Sequence, residues 1–106
     1  MTMELQLRTD YRRGEVPVLV VIGEVDMTNV DSFRRALTDA AAERTELVVD
    51  LAGVRYLDST GVAALFLQAR RVRLEVIASD MIAPVLEISG FEQVATVRSG
   101  SDLASQ

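Results

Sequence analysis

The chain has 106 residues, of which 49% are hydrophobic and 25% charged, and this balance predicts one folded domain with a single core. It contains no cysteine, histidine or lysine, which excludes thiol catalysis, imidazole bases, Schiff bases, disulfides and thiolate metal sites. Its 11 basic residues, all arginine, against 16 acidic ones give a formal charge of -5, which disfavours nucleic acid or an anionic membrane as a direct partner.

Two strands are predicted at the start of the chain. Mostly apolar side chains alternate with polar ones over residues 3–11, which is the period of a half-exposed edge strand. A polar turn over residues 12–15 follows. The apolar run at residues 17–22 then predicts a strand that is covered on both faces, with Pro17 tolerated at its first position. The two segments together predict a hairpin.

The pattern then changes to that of a helix. Either Thr28 or Asn29 is placed to cap this helix. Residues 46–54 return to a strand pattern, apolar around the single charged residue Asp50. The stripe that the helix buries is predicted to contain Val30, Phe33, Leu37 and either Ala40 or Ala41.

A second helix is predicted to begin at Ser59, with Asp58 as its N-cap. A third apolar strand follows at residues 74–77. Because the helix and the strand are separated by few residues, their connection must be tight. The buried stripe of this helix is predicted to contain Val62, Leu65, Phe66 and Ala69.

A third helix is predicted to begin near Met81, because Pro84 is tolerated only in a first turn, and to stop at Gly90. Residues 95–97 are predicted to form a last short strand. Residues 101–106 are too few for a full helix. The third helix is predicted to bear Ile82, Val85 and Leu86.

This order of elements predicts an α/β fold. Strands that are joined through helices must lie parallel to each other, whereas the first two strands form an antiparallel hairpin. We therefore expect a single domain over residues 1–106, with a mixed, mainly parallel sheet of four to five strands packed with helices. The start Met1-Thr2-Met3-Glu4 lacks a targeting pattern, and the longest apolar stretch, residues 16–23, is too short to span a bilayer. A cytoplasmic protein without membrane insertion is expected.

The polar segment at residues 54–62 lies where open α/β sheets place functional groups, at the end of a central strand. Three enzymatic interpretations fail. A nucleophile elbow needs a histidine and a glycine where Leu57 stands, and an aspartic protease needs its glycine nearer to Asp58 than Gly61 is. A phosphoacceptor role for Asp50 would need a lysine. We therefore predict no catalytic residue, cofactor or metal ion.

The hydroxyl pair of Ser59 and Thr60 has two interpretations. The first is a capping motif, in which Asp58, Ser59 or Thr60 accepts a hydrogen bond from the first-turn amides. The second is a phosphorylation site, at a helix end whose dipole favours an anion. The residues alone leave both open.

In its order of motifs the chain resembles the STAS domain of bacterial anti-sigma-factor antagonists. The resemblance covers residues 5–97, the expected core of the domain. It rests on Gly23-Glu24-Val25-Asp26 with Thr28 before a helix, Val48-Val49-Asp50-Leu51, Leu57-Asp58-Ser59-Thr60-Gly61, and Ser89-Gly90-Phe91 as the glycine turn after the third helix.

The resemblance implies a binding protein that is not an enzyme. Its partner would be an anti-sigma factor that is also a serine kinase with a GHKL-type ATPase fold, and binding would release the sigma factor for transcription. The kinase would phosphorylate Ser59, or less readily Thr60, and a PP2C-type phosphatase would remove the phosphate. The implied partner-binding residues are Asp26, Thr28, Asp58, Ser59, Thr60, Gly61 and Val62, with Leu67 as a further apolar contact.

Two other functions stay open. The chain could be a STAS scaffold subunit that does not switch, in a stress-signalling or membrane-transport assembly, or it could be a small-ligand or nucleotide sensor. The connection after the second helix is shorter than is usual in the family, and Arg70, Arg71 and Arg73 occupy it. These arginines form either a solvated helix end or a local basic patch.

Overall fold

Within residues 4–11 and 15–100, which this computed structural model describes, five strands form one sheet in the order β1-β2-β3-β4-β5. Three helices and one short 3-10 helix connect them, so the predicted α/β class is confirmed. The elements are β1 (Gln6–Tyr11), β2 (Pro17–Val25), α1 (Val30–Ala41), β3 (Glu46–Leu57), α2 (Ser59–Ala69), β4 (Arg73–Ala78), α3 (Ala83–Ser89), the 3-10 helix (Phe91–Gln93) and β5 (Thr96–Ser99).

Strand β1 is the edge strand that the sequence predicts. It pairs antiparallel to β2, from Gln6 opposite Ile22 to Tyr11 opposite Pro17. The pairs β2 with β3, β3 with β4 and β4 with β5 are all parallel, as their helical connections require. Most of the predicted turn at residues 12–15 lies outside the described residues. Residues 101–106, which were predicted to be too few for a full helix, also lie outside them.

The helices bury one face of the sheet more completely than the other. Along β2, Leu19, Val21, Gly23 and Val25 are buried, whereas every second residue from Val18 to Glu24 is only partly buried. Sequence-ordered parallel strands with crossovers of one hand place all their helices on the same face. The prediction that β2 is covered on both faces is therefore met in full by one face only, because the other face is partly exposed.

The helical stripes were predicted with unequal success. The buried residues of α1 are the predicted ones, with Ala40 and Ala41 both buried. In α2, Val62 and Leu65 are buried as predicted, but the buried face also includes the polar Gln68. Helix α3 begins two residues later than predicted, so Ile82 precedes it, and of the other two predicted residues Leu86 is buried and Val85 is exposed.

The 3-10 helix after α3 was not predicted. It buries Phe91, whose ring meets that of Phe66 edge to face at a centroid distance of 5.2 Å. Gly90 connects the two elements with φ at 81°, in the left-handed region that favours glycine. The predicted stop of α3 at Gly90 is thus confirmed.

We expect Gly90→Ala to lower the free energy of unfolding by about 1 to 2 kcal/mol, because a Cβ strains a left-handed backbone. Apart from Gly90 and its two chain neighbours, no described residue has a heavy atom within 4 Å of the position that this Cβ would take, so the loss would come from the backbone conformation. Gly90→Asn should cost less, since asparagine enters this region more readily. Urea unfolding of the wild type, Gly90→Ala and Gly90→Asn measures the free energy of unfolding. An equal loss in the two variants would contradict the prediction.

Candidate functional site

The two polar loops that the sequence singles out meet at one edge of the sheet. Val25 and Leu57, the last residues of β2 and β3, are register partners in neighbouring parallel strands. The backbone N–H of Asp58 donates to the carbonyl of Val25 at 3.1 Å. The loop before α1 and the loop before α2 are therefore joined by a direct hydrogen bond.

Each loop contains the same Asp-x-Thr turn. The Oδ1 atom of Asp26 accepts from the backbone N–H of Thr28 at 2.9 Å and from the hydroxyl of Thr28. The Oδ1 atom of Asp58 accepts from the N–H of Thr60 at 2.9 Å and from the hydroxyl of Thr60. Such side-chain bonds to a backbone amide two residues later fix the loop locally. In both turns the middle residue is exposed.

The middle residues of the two turns are Met27 and Ser59. Met27 is 75% exposed, and Ser59 is the exposed first residue of α2. The Ser59 hydroxyl makes no hydrogen bond to any residue in the described ranges. The two candidate hydroxyls thus differ, because that of Thr60 is engaged by Asp58 and that of Ser59 is not.

Asp58 is the N-cap of α2, as predicted. Its carboxylate accepts from the backbone amides of Thr60 and Gly61, the latter at 3.2 Å. Partial burial acts to raise the pKa of this carboxyl group, but hydrogen bonds from the Thr60 hydroxyl and from the amides of Gly61, Thr60 and Met27 outweigh burial and leave the pKa lowered. Asp58 is therefore a firmly ionised group beside Ser59.

Asn29 has a role that the sequence did not reveal. It stands at the N-cap position of α1 but makes no capping bond with its side chain. Its Oδ1 atom instead accepts from the N–H of Asp26 at 3.0 Å, and its Nδ2 atom donates to the carbonyl of Glu24 at 2.8 Å. Asn29 thus holds the loop in which Asp26 and Thr28 lie. The repeated Asp-x-Thr pattern was the available sign that this loop has a fixed structure.

An open cleft of about 420 Å³ lies beside the first loop, and it is acidic. Asp26 and Thr28 line it, whereas Asp58 and Ser59 do not. The full lining is Glu4, Leu5, Leu7, Glu24, Asp26, Thr28, Asn29 and Ser32. Its carboxylates give this edge of the molecule a negative charge. Nevertheless, no group of three or more acidic side chains within residues 4–11 and 15–100 is arranged to hold a metal ion.

Gly61 and Val62 lie beneath this surface. A Cβ at Gly61 would overlap the Cδ1 methyl of Leu57 and approach Cγ1 of Val25 to 3.0 Å, so the start of α2 packs tightly on the strand ends. Val62 is 8% exposed and belongs to the core. These two residues support the exposed loop from below. None of the described helices is both long and apolar enough to cross a membrane.

Comparison with protein families gives one match over most of the chain. The model described as "Mlab, STAS domain" matches residues 9–98, which include both Asp-x-Thr turns. Among curated proteins, none matches the sequence.

Three solved structures illustrate the likeness of the fold. An anti-sigma factor antagonist from Mycobacterium paratuberculosis is 22% identical with a TM-score of 0.82, over 90% of this chain and 86% of that one. The anti-sigma factor antagonist SpoIIAA in its unphosphorylated form is 17% identical with a TM-score of 0.67, over 96% and 94%. The Bacillus cell fate determinant SpoIIAA in its phosphorylated form is 19% identical with a TM-score of 0.61, over 96% and 97%.

We expect Thr60→Val to raise the pKa of Asp58 toward its ordinary value, since the variant removes the hydroxyl bond that stabilises the carboxylate. A carboxyl pKa lowered by folding stabilises the protein above the unfolded pKa of about 3.9, and this stabilisation is lost as the pH falls through the folded pKa. The variant should therefore lose less stability than the wild type on acidification through this range.

Carbon-detected NMR titration of Asp58 measures the pKa, and urea unfolding at neutral and acidic pH measures the stability. Thr28→Val is the matched control, because it removes the corresponding hydroxyl hydrogen bond to Asp26 and should leave the pKa of Asp58 unchanged. An unchanged pKa of Asp58 in Thr60→Val would contradict the prediction.

Proposed function

Since the chain belongs to the STAS domain family, we propose that it is an anti-sigma-factor antagonist whose binding is switched off by phosphorylation of Ser59. In this proposal its partner is an anti-sigma factor that is also a serine kinase of the GHKL type. Binding takes place in the cytoplasm and frees the sigma factor for transcription. A PP2C-type phosphatase restores the binding form. The chain itself catalyses nothing and acts through its surface alone.

The observation that carries this proposal is the free hydroxyl of Ser59 at the start of α2. A kinase requires an accessible oxygen, and Ser59 is exposed with no hydrogen bond to a described residue. The neighbouring hydroxyl of Thr60 is bound to Asp58, so its phosphorylation would first have to break the turn. This difference supports Ser59 as the acceptor. The existence of a structurally similar SpoIIAA in unphosphorylated and phosphorylated forms also supports it.

The docking surface is proposed to lie at the carboxyl ends of β2 and β3, where the loop before α1 meets the loop before α2. The ionised Asp58 and the acidic cleft that Asp26 and Thr28 line fit a basic or neutral surface on the anti-sigma factor. Their position at the carboxyl end of the parallel strands is where α/β sheets usually bind ligands. Gly61 and Val62 would act indirectly, by holding this edge in place.

The effect of phosphate follows from its neighbours. A phosphoryl group on Ser59 adds about -1.5 to -2 charges. The amides of Thr60 and Gly61 already donate to Asp58, so they are not available to neutralise the phosphate. A partner that closes over this edge would have to desolvate two adjacent anions. Incompletely compensated charge at an interface costs several kcal/mol, which lowers affinity on the order of a hundredfold or more.

Incubation with ATP and the cognate anti-sigma kinase tests the acceptor. The wild type and Thr60→Val should each take up one phosphate, and Ser59→Ala none, because of the two hydroxyls at the start of α2 that of Ser59 is exposed and makes no hydrogen bond to a described residue, whereas that of Thr60 is bound to Asp58. Mass spectrometry of the intact proteins measures this. Phosphate on Ser59→Ala would contradict the assignment. Kinase binding without any phosphate uptake would instead favour the non-switching scaffold.

Calorimetric titration against the same kinase tests the charge. Ser59→Asp should weaken binding strongly, with nearly unchanged thermal stability, since a helix N-terminus tolerates an anion. Ser59→Asn is the matched control, of the same shape but uncharged, and should bind like Ser59→Ala. If Ser59→Asp and Ser59→Asn weaken kinase binding equally, the size of the side chain and not its charge causes the loss of affinity. Wild-type protein phosphorylated on Ser59 should bind the kinase more weakly than Ser59→Asp does, because a phosphate carries more charge than a carboxylate.

A further inference from the structure

A second, smaller depression lies between α1 and α2, away from the Ser59 loop. We call it the α1–α2 groove, and its volume is about 140 Å³. Its α2 residues start at Ala64, which places the groove about 7 Å or more beyond Ser59 along the helix at 1.5 Å per residue. The lining consists of Arg34, Leu37 and Thr38 from α1, and Ala64, Leu67, Gln68 and Arg71 from α2 and the residues after it.

The two arginines of the groove are available to bind an anion. Arg71 has no carboxylate within 4.0 Å among the residues that the structure describes. Among the same residues, Arg34 pairs with the exposed Asp31 at 3.8 Å, and such exposed pairs hold a guanidinium weakly. In a chain with a net charge of -5 the groove is a local positive site.

Gln68 contributes a polar group to the lining of the groove. This side chain is 6% exposed, yet its amide makes no hydrogen bond to another residue of the described ranges. Its amide is not among the fully buried side-chain atoms of the described residues that lack a partner, so it stays accessible from the groove. Because Gln68 lines the groove, a group bound there could accept from its amide.

The size and the apolar lining narrow down the ligand. Nucleotides and other small-molecule ligands usually occupy pockets of roughly 300 Å³ or more, so the groove fits a single side chain better. Leu67 in the lining is 53% exposed, and Leu37 and Ala64 add apolar surface beside it. A free inorganic anion would leave this apolar surface uncovered. A peptide with an acidic and an apolar residue would cover it.

We infer that the α1–α2 groove is a docking site for an acidic amphipathic segment of a partner protein. A glutamate or aspartate carboxylate of the partner accepts from the guanidinium groups of Arg34 and Arg71 and from the amide of Gln68. An adjacent apolar side chain of the same segment packs on Leu67. Guanidinium groups suit this role because they donate two parallel bonds to one carboxylate. The inference does not depend on the phosphorylation of Ser59.

NMR titration of the full chain with a synthetic helical peptide that has glutamate and leucine on one face tests this. The side-chain amide of Gln68 should shift on addition, and a peptide with glutamine in place of glutamate should bind much more weakly. Arg34→Glu combined with Arg71→Glu should weaken binding roughly tenfold or more, since attraction becomes repulsion at both positions. The matched control, Arg35→Glu with Arg70→Glu, changes two exposed arginines outside the lining and should bind within about twofold of wild type.

Gln68→Met supplies a test that does not depend on the charge reversal. This substitution removes the amide but keeps a side chain of similar volume. It should therefore weaken the binding of the acidic peptide and leave the thermal stability of the protein unchanged or raised. Absence of a shift at Gln68, or equal binding by the groove and control double variants, would overturn the inference. Inorganic phosphate that shifts Gln68 as strongly as the peptide would also overturn it, since the site would then be a simple anion site.

Discussion

Asp58 is the point on which the rest of the site depends. Its backbone amide bonds to the end of β2, and its carboxylate caps α2, so one residue joins two strands and a helix. The capping bonds satisfy the backbone amides of Thr60 and Gly61, which would otherwise lack hydrogen-bond acceptors at the start of the helix. With the turn closed in this way, Ser59 is left as the exposed residue of the loop. The position of the candidate acceptor is thus a consequence of how the helix begins.

Charge is distributed unevenly over this acidic chain. The cleft beside the first loop carries carboxylates, whereas the α1–α2 groove carries two arginines. A partner that met both surfaces would need a basic region and an acidic one, at the right separation. Charge complementarity at two separate surfaces contributes more to the choice of partner than to the strength of binding. Under the proposed function, the edge with Ser59 would then control binding and the groove would help to select the partner.

Periodicity in the sequence was sufficient for the five strands and three α-helices of the described residues, but not for the 3-10 helix or for exact boundaries. The stripe of α1 and the cap at Asp58 were predictable, because apolar spacing and capping chemistry act locally. Strand β2, in contrast, continues beyond the predicted run to Val25. Gly23 allows this with φ at 118°, where a Cβ would meet the carbonyl oxygen of Glu4 at 2.8 Å. That close approach involves a residue far away in sequence, so no local pattern indicates it.

For the candidate site, the sequence indicated the types of residue but not the contacts that they make. The residues alone placed Ser59 and Thr60 at a helix start as two similar hydroxyls. The family resemblance favoured Ser59, and the structure adds a difference between their hydrogen bonds. Thr60 donates to Asp58, so a phosphate there would remove a bond that supports the cap. Ser59 contributes no such bond among the described residues, so its modification would leave the fold intact. A reversible switch has to change binding without unfolding the protein that carries it. Under the proposed function, the division between a threonine that maintains the turn and a serine that is free to be modified meets that requirement.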